Sequence, residues 1–478
     1  MAKSDFSNPP TSEAIASSSL PTVSLLTMFR LGLYQMGLGI MSILTLGVLN
    51  RVMIDELRVP ALLAAGAIAM HQFVAPARVW FGQMSDAKPI FGYHRTGYIW
   101  IGTLLFTVAA FLAVQVIWQL NASIQAVGWT TQSYAWIGLL GLIFALYGLA
   151  LSAGSTPFAA LLVDVSEEDS RSKLVGIVWS MLMVGIVVGA ILSSRLLSQI
   201  ELDAPLELLQ ASINRLFLIV PAIVVGLALL ATAGIEKKYS RYSSRSTIAN
   251  REDSVTLGRA LRILTASRQT GLFFTFLLVM TISLFMQEPV LEPYGGEVFG
   301  MTIAETTQLN AFWGMGTLIG LSFTGFFIVP RLGKQRTTRI GCMIVSACFG
   351  LIILAGLFRT PELLMGALLL LGIGFGIVTN GAISLMLDLT AAETAGTFIG
   401  AWGLSQAIAR ALATVTGGTV LDIGRQIFSV PLLSYSLVFA LQSVGMLVAI
   451  AFLNRVNVQE FRTNARSAIA RVLENELD

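Results

Sequence analysis

The chain has 478 residues, of which 55% are hydrophobic and only 12% charged, with a mean hydropathy of +0.77 and a formal net charge of +3. A soluble domain carries about twice that share of charge, so a water-soluble globular protein is excluded and a polytopic helical membrane protein is expected. The weak net charge gives no basic surface for nucleic acid, and the two cysteines, Cys342 and Cys348, share one apolar run, which argues against a disulfide framework or a thiolate metal site.

In chain order, residues 1–23 are polar and Ser-rich and carry Asp5 and Glu13. They lack the basic start and apolar centre of a signal peptide and read as a disordered cytoplasmic tail. Apolar runs long enough to cross a bilayer follow at 24–50, 60–82, 97–120, 134–161, 173–199, 214–235, 270–292, 306–330, 338–358, 362–387, 395–421 and 430–454. The expected fold is all-α, with twelve transmembrane helices in two six-helix bundles at 24–235 and 270–455. A basic cytoplasmic linker at 236–269 joins them, with Leu257, Leu261 and Leu264 on one helical face. An amphipathic cytoplasmic tail occupies 456–478.

Lys88, Arg95, Arg171, Lys173, the linker cations, Arg331, Lys334, Arg336 and Arg339 fall on one side of this topology. The other side holds Arg51, Arg58, Arg195, Arg215, Arg359 and Arg425, and its loop at 287–305 carries only acidic charges. By the positive-inside rule both termini are cytoplasmic.

The two bundles resemble each other. Laid over Thr379–Ala413 at a constant offset, Ser155–Ala190 places Asp164 on Asp388, Ser166 on Thr390, Asp169 on Glu393 and Gly176 on Gly400. Each copy is an apolar helix, an acidic turn and a Gly-spaced apolar helix. A repeat of half the chain is too long for a solenoid unit and is how many secondary transporters are built. The turn DVSEEDSR, Asp164 to Arg171, has too few carboxylates for a magnesium-diphosphate site and reads as a solvated, helix-capping loop, so catalysis is not expected. Gly185 with Gly189, and Gly316 with Gly320, predict close helix contacts. Gly372, Gly374 and Gly376 have no preceding strand and are no nucleotide loop.

Ionisable groups inside apolar spans mark the candidate sites, because each must be paired or wetted. Arg78 lies in the second span with Gly82 and Asp86 along the same face, and is expected to snorkel to the cytoplasmic interface and pair with Asp86 or with the second half. Arg410, in the eleventh span, has Asp388 or Glu393 as its expected partner. With Arg95 and Asp164 these residues form the expected cytoplasmic gate network. His71 and Gln72 lie deeper in the second span. The imidazole reads as a hydrogen-bonded interior group, or as one able to ligate the magnesium of a chlorin or to relay protons. Glu288 and Glu292 bracket Pro289 at the outer end of the seventh span and are candidates for proton coupling or for ordinary interfacial carboxylates.

The loop GQMSDAKPIFGYHRTG, Gly82 to Gly97, resembles the cytoplasmic signature of the major facilitator superfamily, in which Gly permits close helix approach and Asp pairs with a basic group; here Pro89 to Tyr93 lengthen it. Phe29–Leu57, Ala77–Tyr98, the segment TPFAALLVDVSEEDSRSKLVGIVWSMLMVG and Gly400–Gly418 resemble the PucC/LhaA branch of that superfamily. The resemblance implies a protein of the thylakoid or cytoplasmic membrane of a phototrophic bacterium, a cyanobacterium above all. It implies delivery or handling of (bacterio)chlorophyll during assembly of light-harvesting or photosystem subunits, with chlorophyll synthase as a further partner. No intrinsic cofactor is expected, and chlorophyll would be bound cargo. On this reading His71 is the axial-ligand candidate, and Gln72, Gln35, Met36 and Trp313 line its site. An exporter of a small amphiphile driven by protons and a non-transporting scaffold are the alternatives.

Overall fold

A computed structural model describes residues 23–166, 168–199, 205–240, 268–389 and 395–457. The expected linker helix around Leu257, the two tails and Glu393 lie outside the described residues.

Helix α1 (Leu25–Glu56) opens with Ser24 accepting from the amide of Thr27, and loosens into π-turns at Ile43–Val48 and Val52–Glu56. The second crossing is split into α2 (Ala61–Phe73) and α3 (Ala77–Ala87) at Pro76. Proline lacks the N–H that an unbroken helix needs. Then come α4 (Thr96–Val127), α5 (Thr131–Val165), α6 (Glu168–Leu197), α7 (Leu206–Thr232) and the short α8 (Ile235–Tyr239). The second half begins with α9 (Arg268–Phe285) and α10 (Leu291–Phe299), followed by α11 (Ile303–Phe323), α12 (Lys334–Phe358), α13 (Pro361–Leu389), α14 (Ala395–Ile427) and α15 (Pro431–Arg455). Among the described residues, eight continuous helices are long and apolar enough to cross a membrane. Two further apolar helices, Ala61–Phe73 and Gly271–Phe285, are shorter.

The repeat seen in the sequence is a repeat of packing. In the first half α1 packs on α6 and α7, α4 on α5 and α7, and α2 on α5. In the second half α9 packs on α14 and α15, α12 on α13 and α15, and α11 on α13. Every contact of the first set has its counterpart in the second. The halves meet where α6 packs on α11 and α2 on α14, two contacts that exchange under the same two-fold relation. Asp164 and Asp388 accordingly sit at the equivalent ends of α5 and α13.

Small residues make this approach possible. A Cβ on Gly189 would lie 2.8 Å from the Ile40 backbone, and one on Gly320 would meet the Ile373 carbonyl. Close contacts of this kind are how membrane helices hold together where the hydrophobic effect between them is weak. Gly82 does not fit the expectation. A Cβ there would stand 3.5 Å from the nearest atom, Cγ2 of Thr156, so no close approach depends on it.

The 287–305 segment, expected as an acidic outer loop, is mostly helical. The chain breaks at Gln287–Pro289 and resumes as α10, so Glu288 and Glu292 lie inside the seventh crossing rather than at its mouth. The break is satisfied from neighbouring helices: Asn50 Nδ2 donates to the Pro289 carbonyl (2.6 Å), and Gln442 Nε2 donates to the Ser283 carbonyl (2.9 Å) and to Gln287 Oε1 (2.8 Å). A broken membrane helix persists only with such substitutes.

Candidate functional site

Three polar clusters run through the bundle. The first lies at the end that carries both termini. Ile90 and Tyr93 pair across a tight turn whose central residues, Phe91 and Gly92, are both left-handed (φ 54° and 75°). The residues that lengthen the signature loop thus form a reversal that returns His94 and Arg95 to α3. Arg95 donates to Asp164 Oδ2 (2.9 Å) and to Ser85 Oγ (2.6 Å), and pairs with Asp86 (2.5 Å). Burial disfavours its charge, but the hydrogen bond and charge of Asp164, with Asp86 behind them, hold the guanidinium above its usual value. Glu236 caps α4, accepting from the amides of His94, Arg95 and Thr96. Arg95, Asp86 and Asp164 therefore form the expected network. Asp164 is buried rather than part of a solvated turn.

Arg78 is not in that network. Its expected partner Asp86 is held by Arg95, and among the described residues Arg78 makes no ion pair. It lies just after the Pro76 break, with solvent-accessible area on its side chain. The second expected pairing also fails: Arg410, assigned from the sequence to Asp388 or Glu393, pairs with Glu288 and lies over the Phe285 ring (4.3 Å). The interrupted helix places Glu288 within reach, which no spacing along the chain indicated.

The second cluster closes the opposite, distal end and was missed by sequence reasoning. Arg51, only 1% exposed, pairs with Asp55 in its own helix (3.2 Å). Across the halves it donates to the carbonyls of Met301 (2.8 Å) and Thr302 (3.0 Å) and to Thr306 Oγ1 (2.5 Å). Glu297 receives Arg58 (3.0 Å) and Arg425 (2.6 Å). Asp422 of α14 caps α2 through the amides of Ala61 (3.0 Å) and Leu62 (2.7 Å). The only signal in the sequence was the acidic stretch at 287–305 facing a few arginines.

Between these ends lies a cavity of about 80 Å³, lined by Ser42, Gly47, Glu288, Glu292, Trp313 and Arg410 among others. This is room for a few waters, far below the roughly 300–1,000 Å³ that encloses a drug-sized ligand. Glu292 is 2% exposed. Asn310 Nδ2 donates to its Oε1, and its Oε2 has no partner.

The predicted pigment residues do not converge on that cavity. Trp313 lines it, whereas Met36 lies where α1 meets Gly185 of α6. Gln35 is half-buried and Gln72 buried, with the Gln72 Oε1 unpartnered. His71 packs edge-on to Tyr147, with ring centroids 6.0 Å apart, and its Nδ1 is 2.5 Å from the Ile68 carbonyl. A carbonyl can only accept, so Nδ1 is the donor and the neutral ring carries its lone pair on Nε2. Among the described residues no three His, Cys, Asp or Glu side chains form a metal-holding group.

Two helix bundles that repeat each other's packing and meet along two helix pairs have the major facilitator fold. Solved structures agree on that fold. A point mutant of the nucleoside transporter NupG has a TM-score of 0.66 at 13% identity, covering 90% of this chain and 98% of its own. The D-xylose–proton symporter has 0.65 at 12%, covering 90% and 97%. Within that class the chain belongs to the PUCC protein family, whose model matches residues 48–461. Its relatives include Protein PucC of Rhodobacter capsulatus, 29% identical over 84% of this chain and 86% of the relative. The bacteriochlorophyll synthase 44.5 kDa chain of Rhodobacter capsulatus is 31% identical over 84% and 88%.

Proposed function

We propose that this membrane protein carries (bacterio)chlorophyll or a related tetrapyrrole during assembly of light-harvesting or photosystem pigment-proteins, without catalysing a reaction. It acts in the thylakoid or cytoplasmic membrane of a phototrophic bacterium, with both termini cytoplasmic. Light-harvesting-like or photosystem subunits and chlorophyll synthase are its partners. The observation that carries the reading is membership of the PUCC family beside a relative named as a bacteriochlorophyll synthase chain.

His71 supports the pigment part of this reading. A chlorin needs apolar surface and one neutral axial ligand, oriented by a hydrogen bond from its other nitrogen. The bond from His71 Nδ1 to Ile68 meets that requirement, and Met70 and Phe73 on the same helix are exposed apolar neighbours. The central cavity is too small for the macrocycle, so this reading puts the cargo at His71 on α2. The test is the absorption spectrum of the protein purified in mild detergent from a phototrophic host. Chlorin absorption should co-purify with the wild type and fall about tenfold in His71→Ala, the loss typical of disrupting a metal-ligand arrangement. A colourless wild type, or a His71→Ala protein with undiminished pigment, would overturn the assignment.

A further inference from the structure

We propose that Glu292 is a proton-binding site of the central cavity and that its protonated form belongs to the distally closed conformation. This inference does not rest on the pigment reading.

The argument begins with charge. The cavity wall holds three ionisable side chains: Glu288, Arg410 and Glu292. Glu288 and Arg410 are committed to each other and cancel. Among the described residues Glu292 has no cation of its own. The Arg51 guanidinium, which acts on Glu292 from α1, already serves Asp55, Glu56, Thr306 and two carbonyls. Helix α11 offers Glu292 only the amide of Asn310. Helix α6 brings Ile186, which does not titrate, and α1 brings Gly47, whose Cα hydrogens face the carboxyl so closely that a Cβ there would overlap Oε1.

One carboxyl oxygen is therefore bonded, and the other is buried with nothing to receive it. An orphaned neutral hydroxyl is far less unfavourable to bury than an orphaned charge. A proton on Oε2 removes the charge and leaves a donor facing a cavity large enough for water. Trp313 Nε1, on the same wall, likewise lacks a partner, so the cavity holds unused donors and acceptors together.

The position of Glu292 couples this proton to the conformation of the protein. Glu292 sits one helical turn from Gln287–Pro289, where Asn50 grips the broken helix, and in the same short helix α10 as Glu297 of the distal lock. While that end is shut, Gly47 and Asn310 hold one carboxyl oxygen, and the other faces a cavity with room for only a few waters. Ionised Glu292 needs more solvation than that cavity holds, and separation of α1 from α10 supplies it. Loss of the proton thus favours an open distal end, and its return favours the closed one.

Infrared difference spectroscopy of the protein in lipid, between neutral pH, where ordinary carboxylates are already ionised, and alkaline pH, reads this directly. The wild type should show the carbonyl stretch of a protonated carboxylic acid. That band should be lost in Glu292→Gln and kept in Glu288→Gln. Asn310→Leu should keep it at higher frequency, because its carbonyl oxygen loses a hydrogen bond, and this variant serves if Glu292→Gln fails to fold. Exchanging sodium for choline should change nothing. The proposal is overturned if the wild type shows no such band, if the band survives Glu292→Gln, or if sodium displaces it, which would make Glu292 a metal-cation site.

Discussion

The two ends of the bundle are built from similar residues but connected differently. At the distal end the polar contacts cross between the halves: Arg51 to residues 301–306, Arg58 to Glu297, Asp422 to the start of α2, and Gln308 to Ser194 (2.8 Å). At the terminal end the described contacts stay within one half. Arg95, Asp86, Asp164, Ser85 and Glu236 all belong to the first. The distal contacts lock the halves together, and the described terminal contacts brace the first. Breaking the lock changes which end is open, whereas breaking the brace loosens one bundle.

That difference can be broken experimentally, from the strongest contact to the weakest. Arg51→Ala should have the largest effect, about 3–5 kcal/mol, because it leaves buried Asp55 with only the longer, exposed contact to Arg58 (3.8 Å). It should lower the thermal midpoint in detergent. It should also raise the rate at which a cysteine introduced at Ser42, on the cavity wall, is labelled from the distal side. Arg95→Ala should destabilise by about 2–3 kcal/mol and lower the midpoint less, since Asp164 is buried while Asp86 is half-solvated. It should leave labelling at position 42 unchanged, and increased labelling there would refute the division between lock and brace. Asp422→Ala removes a helix cap that also joins the halves and should cost about 1 kcal/mol, with a small rise in distal labelling. Arg58→Ala should fall within about 0.5 kcal/mol of the wild type, since Arg58 is 73% exposed and an exposed pair adds little.

The same contrast explains which sites could be read from the chain. Arg95, Asp86 and Asp164 surround one loop signature and its packing partner, so the group could be read from the chain, but its pairing could not: Asp86, expected to meet Arg78, is held by Arg95. Arg410 was assigned to Asp388 or Glu393 because those carboxylates flank its own helix, yet it meets Glu288. Arg51 was read only as one of a few outer cations, with no sign that it is the most enclosed charge of the distal end.

Composition, the length of the apolar runs and the internal repeat were enough to define a two-fold membrane bundle, because lipid requires every span to satisfy its own backbone. Local pattern contains that information. The pairing of Arg410 with Glu288, the isolation of Glu292 and the grip of Arg51 on α11 depend on how helices far apart in the chain meet and on where Pro289 breaks one of them. An ion pair inside a membrane is chosen by proximity in three dimensions, and the order of residues along the chain carries no record of that distance.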